Sequence, residues 1–145
     1  MKKLTAIIAA ALLPLCLFAA DANQMKYVEI LPVQVDLDIT GGWIDVSAYN
    51  GNAAFIFTLG AEANTNYAAT VTVQHCSTTN GTYAAVTNLE GVVVQKVVSG
   101  ANASASVDTV ACDLARFSKY ARVLVDQTAA SNEVSVIMVA PMKSE

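Results

Sequence analysis

The residues able to do chemistry are few: one histidine, His75, three cysteines, Cys16, Cys76 and Cys112, and scattered carboxylates. A catalytic histidine needs a nucleophile within reach and a carboxylate to orient it, and the spacing around His75 identifies neither. His75 lies on the valine side of an alternating run, Val71, Val73 and His75 against Thr70, Thr72 and Gln74. That setting predicts a hydrogen-bonded structural histidine. Two cysteines and one histidine without paired spacing do not make a metal site, and no cofactor is expected. Asp36, Asp38 and Asp45 could offer oxygen ligands, but Asp36 and Asp38 lack the glycine and spacing of a calcium loop, so solvated strand positions are expected. Arg122 is expected to pair with Asp126 or Glu133 on its own face. Trp43, after two glycines, is either a core side chain or an exposed platform. With Tyr49 and Tyr67 it forms the candidate set for contact with an interface or a ligand. No catalytic residue is expected, and the chain reads as a non-enzyme.

These groups must be positioned by something, and the composition says what. Hydrophobic residues make up 54% of the 145 positions and charged residues 14%, a globular balance suited to one domain. Alanine, valine, threonine and asparagine favour strands and turns over helices. The formal charge is −4 and no lysine or arginine cluster exists, which argues against a nucleic-acid partner.

The N-terminus carries a legible signal. Met1-Lys2-Lys3 is a short basic region, residues 4–18 are apolar apart from Thr5 and Pro14, and Ala20-Asp21-Ala22 places small residues where a signal peptidase reads. The run is shorter than the roughly 20 apolar residues of a membrane span. Residues 1–22 are therefore read as a leader, either a signal peptide cleaved before Asn23 or an uncleaved apolar arm. The sandwich domain would occupy residues 23–145. Left attached, so large an apolar segment must be inserted in a membrane or buried against partner subunits. If the chain is exported, Cys76 and Cys112 remain as an even pair that could form a disulfide worth about 3–4 kcal/mol. In a protein assembled in the cytoplasm both would stay reduced.

The clearest element is residues 69–86: an alternating strand, then Ser77-Thr78-Thr79-Asn80-Gly81, then Tyr83-Ala84-Ala85-Val86. Asn-Gly supplies positive φ angles, so a tight hairpin turn is expected there. Before it, residues 27–39 read as strands around Pro32, which confines that entry to an edge or a bulge. Residues 53–60 are apolar on both faces and are expected to form the central strand. Residues 91–98 and 103–110 read as further strands, and Asp113 as the cap of one helical turn. Residues 120–126 and 133–140 read as a closing strand pair. About eight or nine short strands, turning every eight to twelve residues, specify an all-β fold: a single antiparallel sandwich, immunoglobulin-like or jelly-roll-like.

Three stretches together carry a resemblance: Asp45-Val46-Ser47-Ala48-Tyr49-Asn50-Gly51 leading into an apolar strand, Val73-Gln74-His75-Cys76-Ser77-Thr78-Thr79-Asn80-Gly81-Thr82-Tyr83, and Lys119-Tyr120-Ala121-Arg122-Val123. With their Asn-Gly hairpin and Tyr-x-Arg strand they resemble small β-sandwich structural proteins of tailed bacteriophages, over roughly residues 37–140. The resemblance implies a capsid decoration, cement or fibre component of a virion. Its partners would be protein subunits, copies of itself or the major capsid protein, with a homo-oligomer as the default assembly. The alternative is an exported sandwich, secreted or periplasmic, that binds carbohydrate or a cell-surface ligand through Trp43, Tyr49 and Tyr67.

Overall fold

A computed structural model describes residues 25–36, 38–100, 105–128 and 132–143. The leader, residues 1–22, and with it Cys16, lies outside the described residues. The strands in chain order are β1 (Met25–Gln34), β2 (Asp38–Thr40), β3 (Ile44–Asp45), β4 (Asn52–Leu59), β5 (Ala68–Cys76), β6 (Ala84–Ala85), β7 (Gln95–Ser99), β8 (Ser106–Asp113), β9 (Tyr120–Gln127) and β10 (Val134–Pro141). They form two antiparallel sheets packed as a β-sandwich. The first has the order β1-β10-β4-β8. The second has the order β2-β9-β5-β6, with β3 also on β9 and β7 also on β5.

Alternation explains the core. Phe55, Phe57 and Leu59 of β4 and Val134, Val136 and Met138 of β10 join Val71 and Val73 of β5 and Ala121, Val123 and Val125 of β9 in one buried cluster. Each Val, Leu, Phe or Met side chain among them contributes about 1.5–3 kcal/mol on leaving water. Phe117 closes one end, stacked on Phe55 with centroids 5.6 Å apart. Its position is set by a 3-10 turn, Leu114–Arg116, whose cap Asp113 accepts the backbone N–H of Ala115 at 3.0 Å. The capped turn expected at Asp113 is thus present.

Pro32 sits where a ladder donor is dispensable. β1 is an edge strand, and its register against β10 shifts between Glu29 and Leu31 and again between Leu31 and Gln34. β4 is interior, between β10 and β8, and is buried from Ala53 to Leu59.

Three expectations need correction. Residues 120–126 and 133–140 are not a closing pair, because β9 lies in the second sheet and β10 in the first. Their connection crosses between layers, a choice that two equally apolar strands do not encode locally. In the hairpin, β5 does pair with β6, His75 opposite Ala84, but the loop spans residues 77–83 and Gly81 has no positive φ. The positive-φ glycines are Gly51, Gly91 and Gly100. Finally, residues 91–98 are not one strand: Val93 forms a single bridge to Thr87, Val94 turns into the core, and β7 begins only at Gln95.

Candidate interaction surface

Trp43 leaves the sandwich at the Gly41-Gly42 turn and is 54% exposed. Its ring meets Tyr120 edge to face, 5.1 Å between centroids at 74°. The short pairing of β3 with β9 sets Asp45 opposite Tyr120. The Lys119 ammonium sits 5.0 Å from the Tyr120 centroid and 3.7 Å from the Asp45 carboxylate. Asp45 is held below the usual carboxylate range, mainly by the Ser47 hydroxyl and backbone N–H, the latter donating at 2.8 Å. Lys119 is raised above its ordinary value, first by its contact with Tyr120 and then by Asp45. The result is a solvent-facing aromatic pair flanked by one cation and one anion.

The other two candidate contact residues are not part of it. Tyr67 is 1% exposed, so its expected role as a contact is overturned. Its hydroxyl donates to Gln127 Oε1 at 2.6 Å, while Gln127 Nε2 donates to the Asp36 carbonyl. Burial raises the Tyr67 pKa. The polar connection before β5 hides a tyrosine because its hydroxyl finds an internal acceptor. Tyr49 is half-buried, packs against the core and bridges to Met142.

The chemistry-bearing residues take structural places. His75 Nδ1 accepts the backbone N–H of Ser118 at 3.1 Å, with the Ser118 hydroxyl also at 3.1 Å, and the ring meets Phe117 edge-on. Arg122 does not pair with Asp126 or Glu133. Its Nε donates to Gln74 Oε1 at 2.9 Å, and its guanidinium lies 3.9 Å from the Tyr83 ring centroid. Gln74 stands opposite Arg122 in the β5–β9 register, and the hairpin loop brings Tyr83 over it. The disulfide considered for Cys76 and Cys112 is not formed; both thiols are free and buried. Cys76 lies on the second sheet beside Gly81, and Cys112 lies on the first, its thiol directed to the Asp113 carbonyl at 3.6 Å. Burial pushes the Cys112 thiol up. Among the described residues no cluster of His, Cys, Asp and Glu could hold a metal ion.

A second exposed site was not expected. Between β6 and β7, residues 86–94 return along β5: Val86 N–H donates to Val73, Val73 N–H to Val94, and Val94 N–H to Val86. At the tip Asn88 ties the loop together, its Oδ1 accepting from Glu90 and Val92 at 3.0 and 2.9 Å. Its backbone N–H donates to the Val92 carbonyl at 2.8 Å, and its carbonyl accepts from Gly91 at 3.0 Å. Gly91 takes the left-handed φ of +78° that this tip requires. The tip presents Leu89, 71% exposed, and Val92 to solvent. Tyr27, Val33 and Val35 are exposed along and beyond β1, and Val97 on β7. A Leu between Asn88 and Glu90 was the available signal, since no strand period consumes it.

No protein-family model matches the chain, and no curated protein matches its sequence. Among solved structures it is similar to the SPBc2 prophage-derived protein YomS, at 12% identity and a TM-score of 0.46, covering 80% of this chain and 91% of that one. It is also similar to a chain in the structure of infectious bursal disease virus, Gt strain, at 6% identity and a TM-score of 0.46. That match covers 86% of this chain and 34% of the viral one, so the chain spans about a third of its length. A chain of the infectious bursal disease virus VP2 subviral particle gives 7% identity and a TM-score of 0.40.

Proposed function

We propose that this is a non-enzymatic structural protein of a bacteriophage-like virion, a capsid decoration or cement component that acts through subunit contacts. The observation that carries the reading is the Asn88–Val92 tip. Its backbone is fixed by internal hydrogen bonds, yet it holds Leu89 and Val92 out in water. A rigid loop displaying apolar side chains loses little entropy on docking and gains their burial, which suits a permanent protein contact. The exposed Tyr27, Val33 and Val35 add a second apolar patch along the β1 edge. That edge carries Lys26, Glu29, Pro32 and two register shifts, features that oppose edge-to-edge strand pairing, so docking there uses side chains rather than the backbone.

The experiment is composition and incorporation. Particles purified by density gradient from the producing strain should yield peptides of this chain on mass spectrometry, in stoichiometric amount. Leu89→Asp should leave a folded protein that is lost from those particles. Absence of the chain from every particle or assembly would overturn the reading. A second reading, an exported sandwich that binds carbohydrate, is favoured by the Trp43–Tyr120 pair with Lys119 and Asp45 beside it. Glycan-array binding that Trp43→Ala abolishes would select it.

A further inference from the structure

Arg122 is held in place by the fold but not neutralised by it. Its Nε is spent on Gln74 Oε1 at 2.9 Å, and the Tyr83 ring lies against the guanidinium, 3.9 Å from its centroid to Cζ. One hydrogen bond and one ring contact together fix the position of the group and restrict its plane. Of its five N–H donors, the four on the two Nη atoms remain. Among the described residues no carboxylate lies within ion-pair distance of them, and neither Nη is a buried atom without a partner, so both face water. A guanidinium whose fork is preset and unpaired suits a carboxylate held by two parallel hydrogen bonds, with little ordering left to lose.

The place of this fork on the second sheet gives it neighbours. Ala121, Val123 and Val125 of β9 point into the core, so Tyr120, Arg122 and Leu124 share the outward face. Arg122 therefore stands about 7 Å along the strand from Tyr120, whose ring meets the exposed Trp43. The next row of that face is Thr40, Leu124 and Thr72. Gln74, beside Arg122, accepts through Oε1 and keeps the N–H donors of its Nε2. The charges are uneven. Lys119 is matched by Asp45 at 3.7 Å, while Asp126, on the same strand as Arg122, lies about 13 Å further along it. The positive charge left over is that of Arg122.

An open aromatic platform, a preset fork and a rim of hydroxyl and amide groups together suit a hydroxylated ligand that carries an acid. We infer that this face binds an acidic glycan. Its sugar ring stacks on Trp43 beside Tyr120, and its carboxylate, on that ring or the next, is gripped by the two Nη atoms of Arg122. The inference rests on the carbohydrate reading and names the class of sugar. A protein partner fits this face less well. Apart from Trp43, the exposed large apolar side chains that such a contact would bury lie elsewhere: Leu89 and Val92 at the tip, Tyr27, Val33 and Val35 along and beyond β1, and Val97 on β7.

The test presents the full chain with matched pairs of oligosaccharides: hexuronate- or sialate-bearing ones, and the same oligosaccharides with the carboxyl group reduced to an alcohol. Expected is binding of the acidic member about tenfold tighter or more, an advantage that shrinks as salt is raised. Arg122→Lys, which keeps the charge and loses the fork, should cut that advantage below about threefold by weakening the acidic member. Trp43→Ala should weaken both members. The comparison of paired sugars on the unaltered chain needs no variant, so it decides the matter even where a substitution costs stability. Equal binding of the two members would overturn the acidic class and leave the carbohydrate reading standing. Binding of neither would overturn both. An acid preference untouched by Arg122→Lys would move the carboxylate to another cation, Lys119 first, and refute the fork. Loss of the Arg122→Lys chain from purified particles, with glycan binding unchanged, would refute it in favour of a carboxylate on a neighbouring subunit.

Discussion

Gly81 and Gly91 are both loop glycines, and they resist substitution for opposite reasons. At Gly81 the backbone is ordinary, but an added Cβ would stand 2.5 Å from Cys76 Sγ and 2.7 Å from Thr78 Oγ1. At Gly91 nothing lies within 4 Å, but φ is +78°. Gly81→Ala should therefore cost about 1–3 kcal/mol through overpacking. Gly91→Ala should cost about 1–2 kcal/mol through backbone strain. Urea melts of the single variants and of each combined with Cys76→Ala separate the two causes. The Gly81 penalty should shrink by more than about 0.5 kcal/mol when the sulfur is removed, and the Gly91 penalty should not change. Additivity at both sites would show that crowding against Cys76 is not what fixes Gly81. Asn-Gly in the sequence announced a turn correctly; that its glycine is required for space rather than for φ depends on a cysteine five residues earlier and could not be read locally.

Elements whose pattern is self-contained were legible. β5 alternates from Ala68 to Gln74, β4 is apolar on both faces, and Pro32 marks an irregular edge in β1, so their positions follow from period and proline chemistry alone. What was not legible is pairing at a distance. β9 and β10 look alike in sequence, and only the assembled core decides that they belong to different sheets. The same limit hid the Tyr120–Lys119 surroundings of Trp43 and the partner of Arg122, all created by β9 lying between β5 and β3. Arg122 carries a prediction at this scale. It links Gln74 on β5 to Tyr83 in the hairpin loop through one planar group. Arg122→Lys keeps the charge but not the stacking or the fork, so it should behave nearly as badly as Arg122→Ala, each losing about 1 kcal/mol. Thermal melts in which Lys fully substitutes for Arg would reduce the interaction to simple charge.

For the whole molecule, the question is which force responds to solution conditions, and the answer is burial rather than ion pairing. Lys96 on β7 bridges to Asp108 on β8 at 3.0 Å, tying one sheet to the other, but both side chains are partly solvated. Such a pair contributes at most about 1 kcal/mol and is screened by salt. Phe57→Ala, by contrast, removes a fully buried ring and should cost about 3–5 kcal/mol, a large share of an ordinary domain's stability. Molar salt should therefore move the melting temperature little, whereas alkali should lower it. Burial raises both the Cys112 thiol, ordinarily near 9.0, and the Tyr67 phenol, ordinarily near 10.0. Above those ordinary values the unfolded chain releases protons that the folded chain still holds, so the unfolded state binds fewer protons and stability falls as pH rises. Below about pH 9 neither group contributes any slope. Melting temperatures measured from pH 7 to 11 should be level at first, then fall, beginning near pH 9. Cys112→Ala should remove the early part of the fall, and Tyr67→Phe the part beyond pH 10. Tyr67→Phe should also lower stability at pH 7, because Gln127 Oε1 loses its buried donor, by about 1–3 kcal/mol. A profile that is flat to pH 11 in the parent protein would mean that neither group is held neutral by the fold.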